Sequence, residues 1–154
     1  MAALLAIESW GPIVELRKST MFYPILNALH ILSLGVLAGA ILTLDACILG
    51  IRKTRNWREL VAHLSPVAAI GLVLAILTGA LLFSVRASTY MQNEAFQLKL
   101  ALIGIALVTV FIFHSILRRS HAVFPPLALR VCAGVSAFTW IGTIFAGRWI
   151  AYAI

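Results

Sequence analysis

The stretch from Tyr23 to Ile51, YPILNALHILSLGVLAGAILTLDACILGI, constrains this chain more than any other. A hydrocarbon core of ~30 Å takes about 20 apolar residues at ~1.5 Å rise each, so the run predicts a membrane-spanning helix. Within it stand His30 and Asp45, one near each end. Ionisable groups at such depth face other helices or a cavity, and they mark candidate sites.

The composition agrees. The chain is 62% hydrophobic and 11% charged, with a mean hydropathy of +1.04. A soluble domain is about 45–50% apolar and ~25% charged, so the apolar surplus belongs to surface in contact with lipid. At 154 residues there is room for a single integral membrane domain and no second one. The net charge of +7 comes from basic residues at the ends of apolar runs. That pattern suits membrane lipids and topology, whereas nucleic acid requires a continuous basic face. Cys47 and Cys132 lie in apolar runs without CxxC or a Cys/His cluster, so zinc, iron–sulfur and covalently attached haem have no support in the sequence. They read as small hydrophobes.

Residues 3–19, broken by Gly11-Pro12, read as a short interfacial segment with Trp10 at headgroup depth. MAALLAI lacks a basic n-region, so no cleavable signal is expected. Four spans follow, at about 24–51, 66–86, 95–117 and 126–152, with Ser65-Pro66 as N-cap and first position of the second. Short links predict an all-α fold, a four-helix antiparallel transmembrane bundle. Gly35 and Gly39 form a GxxxG, and further glycines in the other spans suit close helix packing. Arg52, Lys53, Arg55, Arg58, Arg118, Arg119 and Arg130 gather on one side, against Arg17, Lys18, Arg86, Lys99 and Arg148 on the other. The bias places both termini on the outer side, which in a bacterial inner membrane is the periplasm.

Depth sorts the polar residues. Asn27 and His30 share a helix face and lie near the outer side with Tyr90, Met91, Lys99, Arg148 and Tyr152. Asp45, His63, His114 and His121 lie near the inner side. One reading is haem b held by bundle histidines. His30 sits about 9 Å in from Pro24 and His114 close to the inner end, so these two are roughly 15–20 Å apart in depth and do not share one iron. His63 with His114, or His30 with Met91, matches better in depth. A second reading is a quinone or lipid-headgroup pocket built by Asn27, His30, Lys99 and Arg148. Metal or ion transport is the weakest, because the middle of spans two and four is almost purely apolar. Asp45 is expected to pair with Arg52 or Arg55. The plain alternative is a structural or anchoring protein without cofactor, its polar residues only orienting helix ends.

No GxSxG, P-loop, HExxH or paired carboxylates are present, so no catalytic activity of the chain alone is expected. The short links leave it as a subunit working with another membrane or periplasmic protein, in electron transfer if haem or quinone is bound.

Several phrases together resemble an uncharacterised family of small bacterial inner-membrane proteins with four helices. They are Ser19 with Tyr23-Pro24, LHILSLG around His30, LD at Asp45 with Gly50, and Pro66. TGALLF, Tyr90 with Asn93, Phe96 with Lys99, FH at His114 and GRWIAY at Arg148 complete them. The resemblance implies the bundle and a bacterial origin, and brings no activity. A looser similarity to cytochrome-b-like and copper-resistance membrane domains rests on helix count and histidines alone.

Overall fold

A computed structural model describes residues 2–52, 56–120 and 122–150. Among them the regular structure is helical: α1 (Ala2–Glu8), α2 (Gly11–Lys18), α3 (Phe22–Ile48), α4 (Trp57–Val85), α5 (Ala87–Gln92), α6 (Glu94–Arg119) and α7 (Leu127–Ile150). α3, α4, α6 and α7 are each long and apolar enough to cross a membrane. Large apolar side chains such as Phe111, Phe138 and Phe145 point outward, as lipid-facing surface requires.

α3 lies along both α4 and α7, and α6 lies along α7. Among the described residues no Cα of α4 comes within 8 Å of one of α6. α3 and α7 are the more buried pair, and α4 and α6 are the more exposed. Along the α3–α4 seam, His30 meets Thr78 and Leu37 meets Gly71. A Cβ on Gly71 would stand 2.8 Å from the Leu37 backbone nitrogen, so glycine is what lets the two helices touch. The GxxxG pair takes no part in this: nothing lies within 4 Å of a Cβ on Gly35 or Gly39. One buried cluster, including Leu37, Ile41, Ala106 and Trp140, lies midway; another, around Leu44, Ile48, Trp57 and Leu129, lies towards Arg118 and Arg119.

That end is tied by side chains the sequence placed in a link. Trp57 is buried and donates Nε1 to the Val123 carbonyl at 2.9 Å. Arg58 lies over the Trp57 ring at 4.6 Å and donates to the Ser120 carbonyl at 2.6 Å. The second span accordingly starts at Trp57 and not at Pro66. Asn56 is its N-cap, accepting from the Glu59 amide and donating Nδ2 to Glu59 Oε2 at 2.9 Å, a reciprocal cap that Ser65 does not match. Pro66 is carried inside the helix, where it leaves only the Ala62 carbonyl without its donor.

The expected pair of Asp45 with Arg52 does not form. α3 ends in a Schellman turn, Ile51 N to Ala46 O and Gly50 N to Cys47 O, with Gly50 at φ 83°. The turn carries the exposed Arg52 off the helix while Asp45 stays buried. Lys53, Arg55, His121 and Tyr152 lie outside the described residues.

The connection read as a link from Ala87 to Gln97 is largely helix. α5 is held at its first turn by Glu8, whose Oε1 accepts from Ser88 N at 2.6 Å and Ser88 Oγ at 2.7 Å. These two bonds, the backbone one foremost, hold the Glu8 carboxyl below the ordinary carboxylate range, with Arg17 adding to them. Asn93 then caps α6 by accepting from the Phe96 amide.

Candidate functional site

At the α5 end of the bundle, α3, α4, α5, α6 and α7 surround a cavity of ≈490 Å³. Its walls are mainly aliphatic, and the polar groups on it are few: Asn27 and His30 from α3, Tyr90 from α5, Lys99 from α6 and Thr143 from α7. Asn27, His30 and Lys99, grouped by depth, thus share one space although Lys99 is far from the other two in sequence. Arg148 does not line it. Arg148 is exposed on α7, and the neighbouring Gly147 is what faces the cavity.

Each polar group has a defined role. Thr78 donates its hydroxyl to the Leu74 carbonyl at 2.6 Å, so towards His30, 2.9 Å away, it accepts. Nδ1 of His30 therefore carries the proton in that bond, and Nε2 is the acceptor of the neutral ring. Gly79 makes the arrangement fit, since a Cβ there would be 3.0 Å from His30 Cε1. Lys99 reaches across to α7, its Nζ 3.4 Å from where a Gly147 Cβ would be. Among the described residues it makes no hydrogen bond or ion pair, and Glu94, the carboxylate nearest in sequence, is exposed and outside the cavity. Asn27 lies exposed at the cavity's edge.

The remaining wall is aromatic. Phe83 and Phe96 stack at 5.4 Å with planes 9° apart, and Tyr90 leans on Phe96 at 5.6 Å. Burial pushes the Tyr90 hydroxyl above the usual phenol range, with Tyr23 beside it adding to the effect, so at neutral pH it is a donor. Together these groups offer donors at Lys99 and Tyr90, an acceptor at His30 Nε2 and a flat apolar platform.

The other histidines lie elsewhere. His63 is exposed and donates Nδ1 to the Glu59 carbonyl at 2.7 Å. His114 donates Nδ1 to the Val110 carbonyl at 2.9 Å and lines a separate cavity with Asp45. The two cavities do not include His63, so the His63–His114 pairing is not assembled around either. Met91 does line the His30 cavity. Among the described residues no three His, Cys, Asp or Glu side chains gather as a metal site. Thr78, Gly79 and the Phe83–Phe96 platform were missed in the sequence; Thr78 is bonded to its own helix and is also the partner of His30.

No curated protein and no solved structure matches the chain, and the looser likeness to cytochrome-b-like and copper-resistance domains gains nothing from these comparisons. A model of a family of unknown function, DUF6644, matches residues 16–153. With nearly every described residue of the four spans inside that match, the chain belongs to DUF6644.

Proposed function

We propose that this protein is a membrane subunit that binds a quinone in the His30–Lys99 cavity and works in electron transfer with a partner protein. The observation that carries the reading is the pairing of Lys99, a donor without a partner among the described residues, with His30 Nε2 as acceptor, beside the Phe83–Tyr90–Phe96 platform. A quinone carbonyl needs a donor, a quinol hydroxyl needs an acceptor, and the ring needs a flat apolar surface. Reduction of a quinone takes two electrons and two protons; the electrons come from the partner. The setting is an antiparallel four-helix bundle in a bacterial inner membrane, α1 and α2 lying at the interface and both termini periplasmic. Reporter fusions in the 52–58 and 118–121 links reading cytoplasmic would bear this topology out.

The test is extraction and mass spectrometry of quinone from protein purified in nanodiscs. Lys99→Ala and His30→Ala should each lower bound quinone by about tenfold, the worth of a charge-assisted or buried hydrogen bond. A lipid-facing Phe138→Leu change should leave it unaltered. Equal quinone in all four preparations, or none in wild type, overturns the proposal and leaves the structural or anchoring role.

Haem b is a second reading, favoured by one observation: the Thr78 bond that fixes Nδ1–H presents His30 Nε2 in the form an iron takes, and Met91 lines the same cavity. A Soret band abolished by His30→Ala and unaffected by His63→Ala would establish it over quinone.

A further inference from the structure

Asp45, at the end of the bundle away from α5, sets a problem that the quinone site does not touch. It is buried in the α3 span at 6% exposure, and its Oδ2 has no hydrogen-bond partner. The Ser136 hydroxyl faces the carboxyl group, and among the described residues no lysine or arginine lines the space around it. Trp140 is buried at 3% exposure, and its Nε1 is likewise without a partner. Among the described residues these are the two fully buried side-chain polar atoms without a partner, and both residues line one cavity of ≈180 Å³.

A cavity lined by buried unpaired polar groups does not stay dry. A water occupies about 10–15 Å³ of such volume, so the space holds several, each needing two to four polar partners. The partners are of both kinds. Trp140 Nε1 can only donate. Thr109 gives its proton to the Ile105 carbonyl at 2.8 Å, so towards the cavity it accepts. His114 gives its Nδ1 proton to the Val110 carbonyl, so Nε2 accepts. A metal cation would be repelled by the indole N–H, and an apolar guest would leave Asp45 unsatisfied. Water, which donates and accepts, meets all of them.

We propose that this cavity is a hydrated chamber in which Asp45 exchanges a proton with solvent through water and His114. A carboxylate with one oxygen unpaired at this place is costly, so the group carries a proton or hands it on. The step balances simply. A bridging water takes the proton from Asp45 as it gives one of its own to His114 Nε2, and nothing is oxidised or reduced. His114 stands one turn before Arg118, the next polar group along α6 towards that end of the helix being Ser115. The titratable groups facing the chamber besides Asp45 are His114 on α6 and Cys132 on α7, while α4 contributes only the hydroxyl of Ser65. Trp140, Leu37 and Leu72 line this chamber and the outer cavity alike, so the two share a wall. The proposal stands whether or not the outer cavity takes a quinone.

Two measurements on the full chain in nanodiscs test it. In infrared spectra, a carboxyl C=O band identified by its loss in Asp45→Asn should shift soon after transfer from H2O to D2O. In indole N–H exchange, Trp140 should exchange at least about tenfold faster than Trp57, whose Nε1 is bonded to the Val123 carbonyl. Trp57 serves as control within the same molecule, so no variant has to fold for the comparison. An Asp45 band insensitive to D2O, or Trp140 exchange no faster than that of Trp57, overturns the proposal. A band that moves when sodium chloride replaces choline chloride at constant pH also overturns it, in favour of a cation site.

Discussion

The outer and inner cavities share α3, α4, α6 and α7 and the side chain of Trp140, yet they hold their two ionisable α3 side chains, His30 and Asp45, in opposite ways. In the outer one His30 is held by Thr78 and given space by Gly79, so its ring is oriented before any ligand arrives. In the inner one Asp45 Oδ2 is left unpaired at greater burial. A satisfied polar group contributes modestly to stability, whereas an unsatisfied one costs about 1–3 kcal/mol. The first arrangement suits binding by a pre-set geometry. The second is retained at a cost to the fold, which is how functional polar groups in membranes commonly stand.

The seam between α3 and α4 supports both cavities, and breaking it should have the largest effect. Gly71→Ala brings a Cβ to 2.8 Å from the Leu37 backbone, where the obstacle is main chain and cannot turn aside. Overpacking of this kind costs about 1–3 kcal/mol. The expected result is a lower midpoint in thermal or denaturant unfolding, with loss of function at both cavities together. Gly35→Ala and Gly39→Ala, with open space around them, should leave the midpoint where it is.

Replacing the unpaired carboxyl separates the cavities next. Asp45→Leu removes the orphan and should raise stability by about 1–3 kcal/mol. It should abolish proton exchange in the inner chamber and leave ligand binding at His30 unchanged. The outer counterpart goes the other way. Thr78→Val removes the acceptor that orients His30 and should lower stability by about 0.5–1.5 kcal/mol while weakening the outer ligand. If Asp45→Leu instead destabilises the protein, the carboxyl is structurally paired and the contrast between the cavities fails.

Much of the frame was legible in the sequence, and the reasons are specific. The four spans follow from run length and apolarity, which the bilayer fixes whatever the tertiary contacts. Depth counting brought Asn27, His30 and Lys99 together because one residue adds ~1.5 Å wherever it stands. Azimuth was not readable in the same way. That His30 turns to Thr78, that Arg148 turns outward and that Asp45 faces Ser136 depend on helix rotation, which a hydrophobic period marks weakly when lipid and core are both apolar. The start of α4 was misjudged because Ser65-Pro66 is a good helix opening by local chemistry, and Asn56 with Glu59 is a better one. Gly71 was hidden among the glycines, since sequence cannot tell which of them has a backbone opposite.

The smallest effect expected concerns α5, which serves the outer cavity alone. α5 carries Tyr90 to the cavity, and Glu8 holds its first turn through Ser88. Glu8→Gln keeps the shape of the side chain and loses its charge, so α5 should loosen and Tyr90 be less firmly placed. Because the Glu8 carboxyl is held below its ordinary value of 4.5, its contribution is fully present above that pH in the wild type. It fades as pH falls through the group's own lower value, where the carboxyl takes up its proton and the charge that favours the Ser88 bonds is lost. Wild type and Glu8→Gln should therefore differ slightly in melting midpoint at neutral pH and converge in acid. Hydrogen exchange of the α5 amides gives the finer reading: faster in the variant at neutral pH, equal in both at low pH. Asp45 carboxyl exchange should be the same in the two proteins throughout, since α5 lines only the outer cavity. A Glu8→Gln variant that altered the inner chamber as much as the outer would show that the two respond as one unit, and the separate roles assigned to them would have to be given up.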